Sequence, residues 1–344
     1  MIGSMCGQMK IIRRFVFCAL TLPLFGAELA DIAELQNEVR GKGWIVFSAR
    51  SENGAYDIFK MRPDGSSVTN LTRTPEFSEA YPLFSRDGKK ILFRRVARDQ
   101  ALDGNNYGVQ GEAVIARSDG SDAVALGGDG EFPWASWSPD GTQVLCMSPK
   151  GFSIVEIATK KVVRTFPRKR FFQQPTWSPD GKWIIGVANW PDTSYCIARM
   201  EIASGEVTAV NKSDDCTPDW FPDSQSVIFS WRVPGQGVNN GYGWTQLWRN
   251  SADGKNPQLI YAEDGLHCYG GHVSPDGKYV LFTGNAEEDG DPAHSGAPMA
   301  LMRLGDSPII GAASEILREK LPNAKPGPVL KLPAGWEPCW TFAE

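Results

Sequence analysis

The sequence predicts an all-β protein: a six-bladed β-propeller of four-stranded antiparallel blades, closed where the C-terminal strand joins the N-terminal blade. Three observations predict it. A Trp-Ser-Pro-Asp-Gly unit recurs along the chain. A second turn signal follows most copies. The two chain ends carry complementary halves of one repeat. The 344 residues are 42% hydrophobic, enough to bury a large core.

The chain opens on a different pattern. Lys10, Arg13 and Arg14 precede an apolar run over residues 15–25, and Gly26 and Ala27 follow. A basic stretch, a short apolar stretch and a small-residue exit describe a secretory signal peptide, here residues 1–27. The run is too short for a comfortable membrane span, which needs about 20 apolar residues. The expected location is therefore periplasmic or secreted, with membrane contact only through the leader. Residues 28–42, containing Asp31-Ile32-Ala33-Glu34-Leu35, are expected to form a short helical lead-in.

The repeat fills residues 43–344. Its clearest copy is Trp177-Ser178-Pro179-Asp180-Gly181-Lys182, followed by Trp183-Ile184-Ile185. Further copies begin at Trp137 and Val273, degraded ones at Phe84 and Trp220, and a truncated one ends the chain at Trp340-Thr341-Phe342. The Ser-equivalent positions are 85, 138, 178, 221, 274 and 341. Asp-Gly offers the positive φ that tight hairpin turns require, and Pro fixes φ as the preceding strand ends. Pro63-Asp64-Gly65, Ser118-Asp119-Gly120, Ser204-Gly205 and Asp253-Gly254 mark a second hairpin. Each repeat thus holds four strands, the signature of a propeller blade at roughly 40–50 residues. The residues before each Ser, namely Phe84, Trp137, Trp177, Trp220 and Trp340, are expected to pack between blades. Trp44-Ile45-Val46-Phe47 reads as a second strand lacking a first, and residues 336–342 as a first strand lacking a second. Their pairing would leave no open edge.

These repeats resemble the TolB-type propeller family. The shared features are Trp-Ser-Pro-Asp-Gly-Lys before an apolar strand, a strand ending in Asp-Gly, and a Leu-Thr-like ending, here Asn70-Leu71-Thr72. The resemblance implies architecture, not activity. TolB carries an α/β domain before its propeller, where this chain has only residues 28–42, so the resemblance does not imply TolB's role in envelope maintenance. Lyases that cleave oligogalacturonate also resemble this family and use His with a divalent metal in the channel. By that resemblance His267 or His272 would be a base or a ligand, although those enzymes have a seventh blade and more His.

Long loops are expected on one face, at residues 95–111, 189–194, 232–243 and 284–298. Loops gathered at one channel mouth are where propellers bind ligands. The residues leading into each first strand would ring that mouth: Glu79, Tyr81, Glu131, Trp134, Gln173, Gln174, Asp214, Asp215, His267, Tyr269 and Glu337. Carboxylates, amides and aromatics together suit a polar ligand or a divalent cation. His267 and His272 lie five apart and face opposite sides of a regular strand. A break at Gly270-Gly271 would let them meet and bind a metal with Asp215 or Glu337. His294 lies among Glu287, Glu288, Asp289 and Asp291 in a loop read as solvated.

Other chemistry is absent from the sequence. It has no Gly-x-Ser-x-Gly elbow, no phosphate-cradling Gly-rich loop and no Cys-x-x-Cys pair. With net charge −5 and no long run of Lys or Arg, nucleic acid is not an expected partner. Cys146, Cys196, Cys216, Cys268 and Cys339 form an odd, widely spaced set, read as buried small hydrophobes with Cys196–Cys216 as the one conceivable bridge. Residues 314–321 read as a helix covering the last third-to-fourth-strand connection. The expected function is binding of a protein or polysaccharide at the channel mouth, with a metal-dependent polysaccharide lyase of the oligogalacturonate type, or another carbohydrate-active enzyme, as the alternative.

Overall fold

The computed structural model describes residues 22–344 except 101–110, 129, 168, 238–242, 265, 287–297 and 312–314. Helix α1 (Leu22–Val39) comes first and runs through residue 27, the expected leader boundary. The first sheet holds β1 (Trp44–Arg50), β2 (Tyr56–Met61) and β3 (Thr69–Asn70). The second holds β4 (Phe77–Phe84), β5 (Lys90–Ala97), β6 (Glu112–Arg117) and β7 (Val124–Ala125). The third holds β8 (Trp134–Trp137), β9 (Gln143–Ser148), β10 (Gly151–Glu156) and β11 (Lys161–Phe166). The fourth holds β12 (Phe171–Trp177), β13 (Trp183–Trp190), β14 (Thr193–Glu201) and β15 (Val207–Asn211).

The remaining sheet has ten strands: β16 (Asp215–Trp220), β17 (Ser226–Gly237), β18 (Gly243–Ser251), β19 (Gln258–Ala262), β20 (Leu266–Val273), β21 (Tyr279–Ala286), β22 (Pro298–Arg303), β23 (Ile309–Ile310), β24 (Lys325–Pro326) and β25 (Leu330–Ala334). It contains two four-stranded antiparallel runs, β16-β17-β18-β19 and β20-β21-β22-β25. One parallel pairing, Thr245 with His267, joins the runs. Separate sheets were expected here, and this contact fuses two of them. β23 adds a parallel edge to β19, and β24 pairs with β23. Between them lies α2 (Glu315–Lys320), within the connection where a helix was expected. Leu317 packs with Ala262, Ile310 and Ala324, so this excursion covers the outer edge of β19.

The last strand, β26 (Trp336–Thr341), pairs antiparallel with β1 through Trp44↔Thr341, Ile45↔Trp340 and Val46↔Cys339. The first sheet is thus built from both ends of the chain, in the order β26-β1-β2-β3. Six apolar clusters each span two successive four-stranded runs. One of them joins the last run to the first, bringing Tyr279, Leu281 and Leu301 against Ile45, Phe47 and Trp340. Leu35 and Val39 of α1 pack into the same cluster, and Arg40 holds Asp64 at 3.0 Å.

The repeated turn differs from the tight hairpin expected. Only its Gly has positive φ, with Gly88, Gly141, Gly181 and Gly277 between 67° and 78°. Each Gly N–H donates to the Ser carbonyl three residues back, which is a four-residue turn whose last residue is the left-handed Gly. Ser Oγ then donates to the turn Asp, as in Ser178 to Asp180 at 2.7 Å, and accepts the N–H five residues on, as from Trp183 at 2.9 Å. That pair of hydrogen bonds explains Ser and Asp at this spacing. The expected inter-blade aromatics do pack between runs: Phe84, Trp220 and Trp340 are buried, and Trp137 and Trp177 are half-buried. Trp137 Nε1 donates to Leu83 O of the preceding run at 3.0 Å. All five cysteines are buried free thiols, so the Cys196–Cys216 bridge does not form. These two cysteines lie in different apolar clusters.

Trp340 is only 3% exposed and lies at the meeting of both chain ends. Trp340→Ala is expected to cost about 3–5 kcal/mol, read from urea unfolding. Deleting residues 335–344, which removes β26, is expected to destroy cooperative unfolding altogether.

Candidate functional site

The six first strands of the four-stranded runs, β4, β8, β12, β16, β20 and β26, all line one cavity. Five of them kink at one equivalent position. Tyr81 (φ 59°), Gln174 (47°), Thr217 (48°), Gly270 (63°) and Glu337 (50°) are left-handed. Four of these residues precede a proline: Pro82, Pro175, Pro218 and Pro338. Proline disfavours the right-handed helical conformation for the residue before it, which removes the commonest way for the strand to bend there. Such a conformation costs on the order of 1–3 kcal/mol for a non-Gly residue. In β4, β12, β16 and β20 the pairing register slips across the kink, which is the mark of a bulge.

Neighbouring runs satisfy three of the N–H groups at the kinks. Tyr81 N donates to Ser48 Oγ at 3.0 Å, Thr217 N to Gln174 Oε1 at 3.1 Å, and Gly270 N to Thr217 Oγ1 at 3.1 Å. In each case the acceptor comes from the preceding run. Gln174 uses its amide nitrogen as well, donating to Glu337 Oε1 at 3.0 Å. This bond joins the fourth run to the first and so crosses the channel. The free volume left is about 80 Å3, room for a few waters. Ordinary ligand pockets offer roughly 300–1,000 Å3. Tyr81 and Trp134 form an aromatic wall, with ring centroids 4.4 Å apart.

The charged members sit together. His272 Nδ1 lies 2.6 Å from Asp219 Oδ2. Burial works against the imidazolium, but the Cys339 sulfur and the Asp219 carboxylate outweigh it, and the His272 pKa stands well above its ordinary value. Glu337 is pushed up to about 7, first by burial and then by the Asp219 charge, with the Gln174 bond and His272 pulling the other way. The channel therefore combines a closed ion pair with a carboxyl poised to gain or lose a proton near neutrality.

No known family model matches the chain. An uncharacterised protein of Agrobacterium fabrum, Atu1656, is 26% identical over 238 residues, covering 67% of this chain and 73% of that one. The Tol-Pal system protein TolB of Francisella tularensis is 27% identical over 203 residues, covering 56% of this chain. The match spans 44% of that TolB's own length, so this chain matches less than half of it. Among solved structures, TolB from Acinetobacter baumannii superposes with a TM-score of 0.60 at 14% identity, over 92% of this chain and 71% of that one. The chain is a TolB-like β-propeller.

In this TolB-like propeller, Tyr81, Trp134, Gln174, His272 and Glu337 line the cavity, whereas Glu79, Glu131, Asp215, His267 and Tyr269 do not. Glu79 and Asp215 are buried behind the kinks. Thr74 Oγ1 donates to Glu79, whose other oxygen has no partner among the described residues, as is also true of Asp215 Oδ1. Glu131 is exposed and accepts from Gly128 N at 3.1 Å. His267 is buried with Thr245 Oγ1 3.3 Å from its Nδ1, and it stacks on Tyr269. Gln173 is half-buried and Asp214 exposed, and neither lines the cavity. Among the described residues no group of three or more His, Cys, Asp or Glu could hold a metal ion. The acidic loop around His294 lies outside the described residues. Sequence reasoning missed Thr217 and Asp219. Their signal was the triplet Thr217-Pro218-Asp219, which aligns with Gln174-Pro175-Thr176 and Glu337-Pro338-Cys339.

Burial raises three carboxyls in the folded chain, Glu79 to about 7, Asp215 to about 8 and Glu337 to about 7. Each holds its proton to higher pH than in the unfolded chain. Stability from this source is complete below roughly pH 4 and is lost as pH rises towards the folded values. The turn carboxylates Asp87 and Asp140 shift the other way, lowered by bonds from Ser85 and Ser138, and their stability is lost in acid. The urea midpoint is therefore expected to peak near about pH 5 and to decline towards about pH 8. Asp215→Asn is expected to remove part of that decline, and an unchanged slope would contradict the assignment.

Proposed function

We propose that this protein is an exported, six-bladed binding propeller that receives a protein partner at its channel mouth. Counting the two runs of the ten-stranded sheet as separate blades gives the six, with β26 as the strand that closes the ring. The leader pattern over residues 1–27 supports export to the periplasm or beyond. The relatives named as Tol-Pal system proteins support a part in a protein assembly.

The observation that carries the reading is the Gln174–Glu337 bond across the channel. It leaves too little room for a buried small molecule, yet it keeps Tyr81, Gln174, Asp219, His272 and Glu337 half-buried around the opening. A side chain at the tip of a partner loop needs only such a shallow polar socket. Aromatic walls with a few convergent polar groups are the usual composition of such sockets.

A photocrosslinking amino acid at Tyr81 is expected to trap a protein adduct in intact cells. The same group at Val68, exposed in the connection from β2 to β3, serves as the control for the channel. Adducts absent from position 81, or identical from both positions, would overturn the proposal.

A further inference from the structure

The outer strand of the third sheet stands apart from its counterparts. The fourth strands β3 and β7 have two residues each, β15 and β25 have five each with buried positions among them, and β23 covers β19. β11 has six residues, five of them exposed, and pairs only with β10. Its second edge therefore presents a row of unpaired backbone groups. Val162 and Val163 on this strand are 46% and 52% exposed.

The segment that carries β11 has charge of one sign, with Glu156 of β10 opposite Lys161 in the register. Residues 160–170 contain six cations and no carboxylate. Among the described residues, Lys160, Lys161, Arg164, Lys169 and Arg170 form no ion pair. Lys160 Nζ donates to Ala125 O at 2.8 Å, Arg164 to Ala203 O at 3.1 Å, and Lys169 to Gly205 O. Arg170 lies over the Trp190 ring. Carbonyls and rings orient these cations without neutralising them. Beside Lys160, which precedes the strand, a groove of about 320 Å3 is lined by Lys90, Ile115, Arg117, Asp122, Val124 and Ile157, with Asp122 paired to Arg117 at 2.6 Å.

We infer that the free edge of β11 is a docking site for an acidic, extended peptide segment of a partner, which adds to the sheet as a fifth strand. Three independent features meet in that one occupant. The open edge calls for a backbone that can pair, as in strand addition. The unpaired cations call for carboxylates. The exposed valines call for apolar side chains between those carboxylates. An anionic lipid surface would satisfy the charge but not the edge. Lysines placed only to guard an edge against pairing would not need two exposed valines beside them. The site is remote from the channel and does not depend on the channel reading.

The test uses the full mature chain and a fluorescent eight-residue peptide of alternating aspartate and valine. Saturable binding by anisotropy is expected. Replacing two central valines of the peptide by proline, which removes pairing donors, is expected to weaken binding about tenfold or more. The double variant K161E/R164E is expected to do the same with an unchanged melting temperature. If that variant folds poorly, K161A/R164A carries the same expected direction. Equal binding of the proline peptide would reduce the site to unspecific charge and overturn the proposal. So would no saturable binding, or binding only to phosphatidylglycerol vesicles.

Discussion

Six inner strands share one narrow axis, and the structure turns on how they bend there. A flat strand would carry its side-chain alternation straight through the channel. Instead five strands kink at Tyr81, Gln174, Thr217, Gly270 and Glu337. A kink frees an N–H from the ladder, and a buried free N–H is costly. The solution is to borrow an acceptor from the preceding run, as Tyr81 does from Ser48 and Gly270 from Thr217. The strain of one run is thus relieved by its neighbour. The runs are locked near the axis by directional bonds and farther out by apolar clusters.

The periphery follows a different economy. Hairpins there are set by Ser, Asp and Gly acting through local bonds, which ask nothing of neighbouring runs. Aromatic side chains provide the contact between runs. The sixth cluster and the β1–β26 pairing tie the chain ends together, and α1 covers that seam with Leu35 and Val39. A long excursion is tolerated between β22 and β25 because it lies outside the ladder and protects the β19 edge.

Much of this was legible in the sequence because the repeat unit is local chemistry. Trp177 to Gly181 announces a strand end and a turn, and the same letters recur at one structural position. The site was legible only in part. Strand alternation puts Glu79 on the same side as Tyr81, and Asp215 on the same side as Thr217. The left-handed residue breaks that alternation, so Tyr81 and Thr217 face the cavity while Glu79 and Asp215 turn into the interior. His267 is lost to the site for a related reason, since its backbone pairs with Thr245 while His272 lies beyond the bulge. A position before proline in a strand was the available clue.

The same kinks explain where charge is placed. Behind them, Glu79 and Asp215 are held without full partners, and burial keeps them protonated towards neutral pH. In front of them, Asp219 and His272 compensate one another. Glu337 is left to decide the net charge of the channel, and its raised pKa lies near neutrality. Its bond to Gln174 also spans the opening. Deprotonation would strengthen the acceptor that Gln174 addresses while adding a negative charge beside Asp219. The two effects oppose each other, so the channel's closure and its field are coupled through a single carboxyl group.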